Sequence, residues 1–184
     1  MSLKQRLHRS LVNMRQMSQR LLADFKSPEQ WVFQVHPQCN HALWFAGHMA
    51  TSDNFFLSLV APDKAKQLPD FQSRFGMGSQ PTSDPAAYPP PASVVETMNE
   101  RRQTLLDVLE GMSDDDLAKK TPAGAPEFLP DVASVFELAV WHEGQHNGQH
   151  AKYLEGRRLR ALRDTAIQKA HDRPPGWVGR IPHG

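Results

Sequence analysis

The chain has 184 residues, 39% apolar and 22% charged, with a formal net charge of +1 and a mean hydropathy of −0.56. That length suffices for one domain with its own core, and no apolar run approaches the ~20 residues a membrane helix needs. The polar start Met1-Ser2-Leu3-Lys4-Gln5-Arg6 and the single cysteine, Cys39, lead us to expect a cytoplasmic protein with neither a secretory leader nor an internal disulfide.

Residues 3–25 place Leu3, Leu7, Leu11, Met14, Met17, Leu21 and Phe25 at spacings of three and four, which predicts an amphipathic helix. Ser27-Pro28-Glu29 supplies a cap and a proline for a short turn at about 27–33. From Asn40, read as a cap, the segment from His41 to Val60 is apolar on more than half its circumference and predicts a central helix. His48 lies at its middle, and the preceding Gly47 weakens a helix by ~1 kcal/mol relative to alanine, which points to close approach by another element. Residues 61–92 carry seven prolines and read as a long connection with little regular structure, packed over something by Phe71, Phe75, Met77 and Tyr88.

Ser93-Val94-Val95-Glu96 has the form of a capping box, opening a helix that stops at Gly111. Its apolar face is Val94, Val95, Met98, Leu105, Leu106 and Leu109. Ser113-Asp114-Asp115-Asp116 starts a short helix in the same way, and Asp131 caps the last core helix. The inward stripe of that helix is predicted as Val132, Val135, Ala139, His142, His146, His150 and Tyr153, ending at Gly156. No segment alternates with period two, so the fold class expected is all-α: a four-helix bundle with extra short helices and a C-terminal tail. The bundle is assigned to residues 1–156. Residues 157–184 hold seven Lys/Arg against two Asp/Glu and form a basic extension, a helix over 157–172 and then an extended tail, solvated or at a dimer contact. No nucleic-acid motif accompanies it.

Three of the nine histidines fall at intervals of four in His142-Glu143-Gly144-Gln145-His146-Asn147-Gly148-Gln149-His150. Side chains at i and i+4 share a helix face, so two such imidazoles close on one ion. Neutral imidazole binds Zn²⁺, Ni²⁺ or Fe²⁺ at ~2.1 Å, and three histidines leave coordination positions open for water or substrate. His142-Glu143-Gly144-Gln145-His146 also satisfies the zinc-protease pattern H-E-x-x-H with Glu143 as base. The absence of strands to hold a substrate backbone makes that the minor alternative. Glu143 points about 100° around the helix from His142, and is a base only if the site opens that way, an inter-helix or surface acid otherwise.

The order of these elements resembles that of the DinB/YfiT-like superfamily. The resemblance rests on Trp44-Phe45-Ala46-Gly47-His48, a Pro-rich loop ending near Tyr88-Pro89, a helix closing on Ser113-Asp114-Asp115-Asp116-Leu117, and the final His142 to Gln149, and covers residues 5–156. It implies a four-helix bundle that binds nickel or zinc, with iron as a further option, through His48, His142 and His146. It also implies a homodimer and a small-molecule substrate, since characterised members mostly transfer low-molecular-weight thiols such as bacillithiol or mycothiol, or act as related isomerases. The chain departs from many relatives at Gln145, where they have histidine, and at His150, where they have an aliphatic residue. Asp53 matches a position that is often acidic and is read either as orienting a ligand histidine or as an exposed helix acid. The same string resembles the iron-binding motif of thiol sulfoxide synthases, whose second domain this chain has no room for.

The leading expectation is thus a metal-dependent thiol S-transferase or hydrolase. The rival is a non-catalytic, stress-linked metal-binding module. Cys39, about nine positions before His48, is not read as a nucleophile, and no membrane or nucleic-acid partner is expected.

Overall fold

A computed structural model describes residues 1–122, 124–149 and 156. Predictions for His150, Tyr153 and the basic extension 157–184 lie outside them. Among the described residues there is no strand, only a single bridge between Lys120 and Asp131. The all-α expectation is met.

Helix α1 spans Leu3–Leu22 and α2 Pro28–Trp31. Helix α3 spans Ala42–Val60, α4 Pro69–Phe75, α5 Pro91–Gly111 and α6 Asp114–Leu117. Helix α7 covers residues 132–149 as far as it is described. Their ends follow from local chemistry. Ser2 and Gln5 close a capping box on α1, Ser113 and Asp116 close another on α6, and Asp131 Oδ1 accepts from Ser134 N–H at the start of α7.

Two predicted caps are corrected. His41, not Asn40, caps α3: its Nδ1 accepts the Trp44 N–H at 2.9 Å. Helix α5 starts two residues before Ser93, on Pro91, whose missing N–H costs nothing in the first turn. Ser93 Oγ instead donates to the Pro90 carbonyl. The connection over residues 61–90 is also more ordered than predicted, with 3₁₀ turns at Pro62–Lys64 and Pro85–Ala87 flanking α4.

The apolar core forms two clusters. One holds Leu7, Leu11, Phe56, Leu57, Leu105, Leu109, Leu117, Val135 and Phe136. The other holds Leu22, Phe25, Leu43, Phe45, Met49, Phe75, Val94 and Met98. Their membership gives the directions of three helices, α1 running from the first cluster towards the second and α3 and α5 the opposite way; α7 is antiparallel to α3, since His142 meets Phe56 and His146 meets Trp44. Because α3 and the next long helix are parallel, the chain must return the length of α3, about 28 Å at 1.5 Å per residue. That is why a long connection stands between them.

Candidate metal centre

His48 and His142 meet across the α3–α7 seam with Nε2 atoms 3.3 Å apart. His146, one turn beyond His142, brings its ring centroid to 4.8 Å from that of His48 and 4.7 Å from that of His142. One ring nitrogen from each of the three lies within 4.8 Å of the others, so the group could hold a metal ion. Nitrogens bound at ~2.1 Å with tetrahedral or octahedral angles lie about 3.0–3.5 Å apart, and the His48–His142 separation falls in that range.

The environment sets the protonation of the rings. His48 Nδ1 lies 2.8 Å from the carbonyl oxygen of Phe75. A carbonyl only accepts, so Nδ1 carries the proton and the bare Nε2 lone pair faces the other two rings. Burial lowers the pKa of His48, partly offset by that carbonyl. His142 is pushed down to about 4 by burial and then by the neighbouring His48. His146 is also pushed to about 4, by burial and then by His142 and His48, against the Gln149 side chain, which favours the protonated ring. All three are neutral at pH 7, as ligation by imidazole requires.

The connection grips this site from the α3 side. Gly47 is the reason it can: a Cβ there would lie 2.2–2.5 Å from atoms of the Phe75 ring. The ring sits flat over the glycine and delivers the Phe75 carbonyl to His48. The Trp44 indole stacks on His48 with centroids 4.4 Å apart and planes at 16°. Its Nε1–H donates to Ser79 Oγ at 2.8 Å, and Ser79 Oγ in turn donates to Gly76 O. The close approach predicted from Gly47 is therefore real, and Phe75 is the element that approaches.

The remaining sequence candidates lie elsewhere. Glu143 is 0% exposed, with Oε1 at 2.8 Å from Arg15 Nε and Oε2 at 2.7 Å from Arg102 Nη2. It is the inter-helix acid of the two alternatives, turned into the bundle and away from the histidines. Asp53 is 1% exposed and is neither an exposed acid nor a partner of a histidine N–H. Its oxygens lie 2.8–2.9 Å from Arg102 and Arg15 guanidinium nitrogens. Burial pushes its pKa up, but the two guanidinia outweigh that and hold it below the usual carboxylate value. Cys39 is exposed, before α3.

The sequence did not mark Trp44 or the arginines at 15 and 102 as parts of the site; Phe75 was expected only to pack over something, and Gly47 signalled the close approach. The predicted inward stripe of α7 is also corrected: below Ala139 the buried positions are Glu143 and Asn147, while His142 and His146 sit half-buried on the adjacent face.

Among known proteins, the model of the DinB superfamily matches residues 10–150. No curated protein matches the chain.

Proposed function

The chain belongs to the DinB superfamily, and from that premise we propose that it is a metal-dependent enzyme whose ligands are His48, His142 and His146. Nickel or zinc is the favoured ion, with iron as the alternative, and the chemistry is transfer of a low-molecular-weight thiol to a small electrophile, or hydrolysis. The observation that carries this reading is the convergence of three neutral imidazoles, with the His48 tautomer set by the Phe75 carbonyl so that its Nε2 is free to ligate. A divalent ion in such a site supplies positive charge that favours the deprotonated form of a thiol or water.

The protein's own part is positional. Phe75 and Trp44 fix the plane of the His48 ring. Segment 75–79 lies against the α3 side of the site, through Phe75 O on His48 and Ser79 Oγ on Trp44. Glu143 is not the base in this scheme, because both of its oxygens face guanidinia, away from the histidines. The same burial argues against the zinc-protease reading of His142-Glu143-Gly144-Gln145-His146, which needs that carboxylate beside the ion. The proposal includes a homodimer.

Metal content of the purified protein, followed by turnover with a panel of thiols and a chromogenic electrophile, tests the reading. About one ion per chain is expected, with turnover lost in His146→Ala while the helical signal persists. A protein that takes up no divalent ion would sink it. A metal-loaded protein inert to every thiol and ester tried would leave only the non-catalytic binding module. Size-exclusion chromatography with light scattering reports the dimer.

A further inference from the structure

Between the two apolar clusters lies a layer of four buried charges, one from each long helix: Arg15 from α1, Asp53 from α3, Arg102 from α5 and Glu143 from α7. None is more than 5% exposed. Both carboxylates come from the helices that carry the histidines, and both guanidinia from the helices that do not. Each guanidinium touches both carboxylates. Arg15 reaches Asp53 Oδ2 at 2.9 Å and Glu143 Oε1 at 2.8 Å. Arg102 reaches Asp53 Oδ1 at 2.8 Å and Glu143 Oε2 at 2.7 Å. The result is a closed ring that ties α3 to α7 by two independent cationic bridges. Spare donors are also used, Arg15 on Met98 O and Arg102 on Leu11 O.

Glu143 follows His142 in sequence and Asn147 follows His146, so the residue after each α7 histidine turns inward. Ser18 Oγ donates to Glu143 Oε1 at 2.6 Å and lies 3.1 Å from Asn147 Oδ1. Asn147 Nδ2 lies 3.3 Å from Met14 Sδ. A one-residue slip of α7 would turn each side chain through about 100° and shift it by about 1.5 Å. A purely apolar layer tolerates such slips, because hydrophobic contact is non-directional. Paired charges do not, since a slip strands a buried carboxylate without its guanidinium.

We propose that Arg15, Asp53, Arg102 and Glu143 are positioning residues, a register lock that holds α3 and α7 at the separation and rotation the three-histidine site requires. The cluster is not explained by stability alone: well-packed apolar residues in place of a buried ion cluster are often neutral or stabilising. What the charges add is a single permitted register. The inference rests on the metal reading above, and its test keeps the two apart.

The probe is Co²⁺, followed by visible absorption in the full-length protein. In the fourfold apolar variant Arg15→Met/Asp53→Leu/Arg102→Met/Glu143→Leu, helical content is expected to survive while Co²⁺ affinity falls about 10- to 100-fold and the ligand-field bands change. As a control, Leu105→Ala, a cavity in the first apolar cluster, is expected to lose stability yet keep wild-type Co²⁺ affinity. If the fourfold variant does not fold, Glu143→Gln and Asp53→Asn take its place with the same readout. Imidazole ¹H–¹⁵N spectra of the metal-free proteins are recorded in parallel, and the His48 and His142 signals are expected to shift in the lock variants and stay in place in Leu105→Ala. A folded lock variant with wild-type Co²⁺ affinity and unshifted imidazole signals overturns the lock. A wild-type protein that takes up no Co²⁺ would instead sink the metal reading, and unshifted imidazole signals alone would then overturn the lock.

Discussion

Gly47 matters because of what its missing side chain allows. The Phe75 ring occupies the space a Cβ would need, and the Phe75 carbonyl is what orients His48. Gly47→Ala should therefore act twice. Stability should fall by about 1–3 kcal/mol from overpacking, measured as a lowered urea midpoint, and metal affinity should fall with it as the carbonyl is pushed off Nδ1. An unchanged midpoint would show that the ring moves freely. His41 makes a second residue-level prediction. Burial pushes its pKa down to about 4, against the Thr82 backbone, whereas the unfolded chain titrates near 6.5. Between those values the unfolded state binds the extra proton, so stability rises with pH. The contribution is fully present above about pH 6.5 and is lost progressively as pH falls towards about 4, up to about 3 kcal/mol for this one group. His41→Asn keeps a side-chain acceptor at the cap and should reduce the slope of stability against pH in that window by about one proton, read from urea titrations at several pH values.

Helices α1 and α7 show where periodicity misleads. In α1 the sequence stripe through Met14 and Met17 gives way to one through Leu7, Leu11, Arg15, Ser18 and Leu22, and Met17 is left 48% exposed. In α7 the stripe through His142 and His146 gives way to Glu143 and Asn147. Both errors have one cause. A pattern search assigns polar side chains to water, since burying one alone is costly, but here the polar residues of the two helices satisfy each other. The corrected face of α7 leaves Gly148 exposed, and among the described residues no atom lies within 4 Å of where a Cβ would stand. Gly148→Ala should raise stability by up to about 1 kcal/mol through helix propensity and leave metal uptake unchanged. Thermal melts with and without added Ni²⁺ would check both parts, and a loss of stability would mean that α7 needs the glycine's freedom there.

Across the whole molecule the organising feature is the polar layer between two apolar clusters. The four charges balance, so removing one cation strands carboxylates in the interior. Arg102→Met should cost about 3–5 kcal/mol in urea denaturation. Because the pairs are buried, raising the salt concentration should change this penalty little. A loss below about 1 kcal/mol, or one that disappears in salt, would mean that water reaches the layer. The long Pro-rich connection belongs to this scale too. Parallel α3 and α5 make its length a necessity, and the return path lies against the α3 side of the site through Phe75 and Ser79.

Much of this protein was legible in the chain itself. The meeting of His48 with His142, 94 residues away, was implied by resemblance, whereas the all-α class, the four long helices and the short turns after Ser27 and Ser113 could be read from spacing and caps, because these are local properties of a helix or its ends. The rotation of α1 and α7, the burial of Arg15, Asp53, Arg102 and Glu143, and the carbonyl of Phe75 on His48 could not. Each depends on a partner that lies 27 or more residues away in sequence. Whether a charge is buried or a histidine oriented is decided by the group that meets it, and only the tertiary structure brings those groups together.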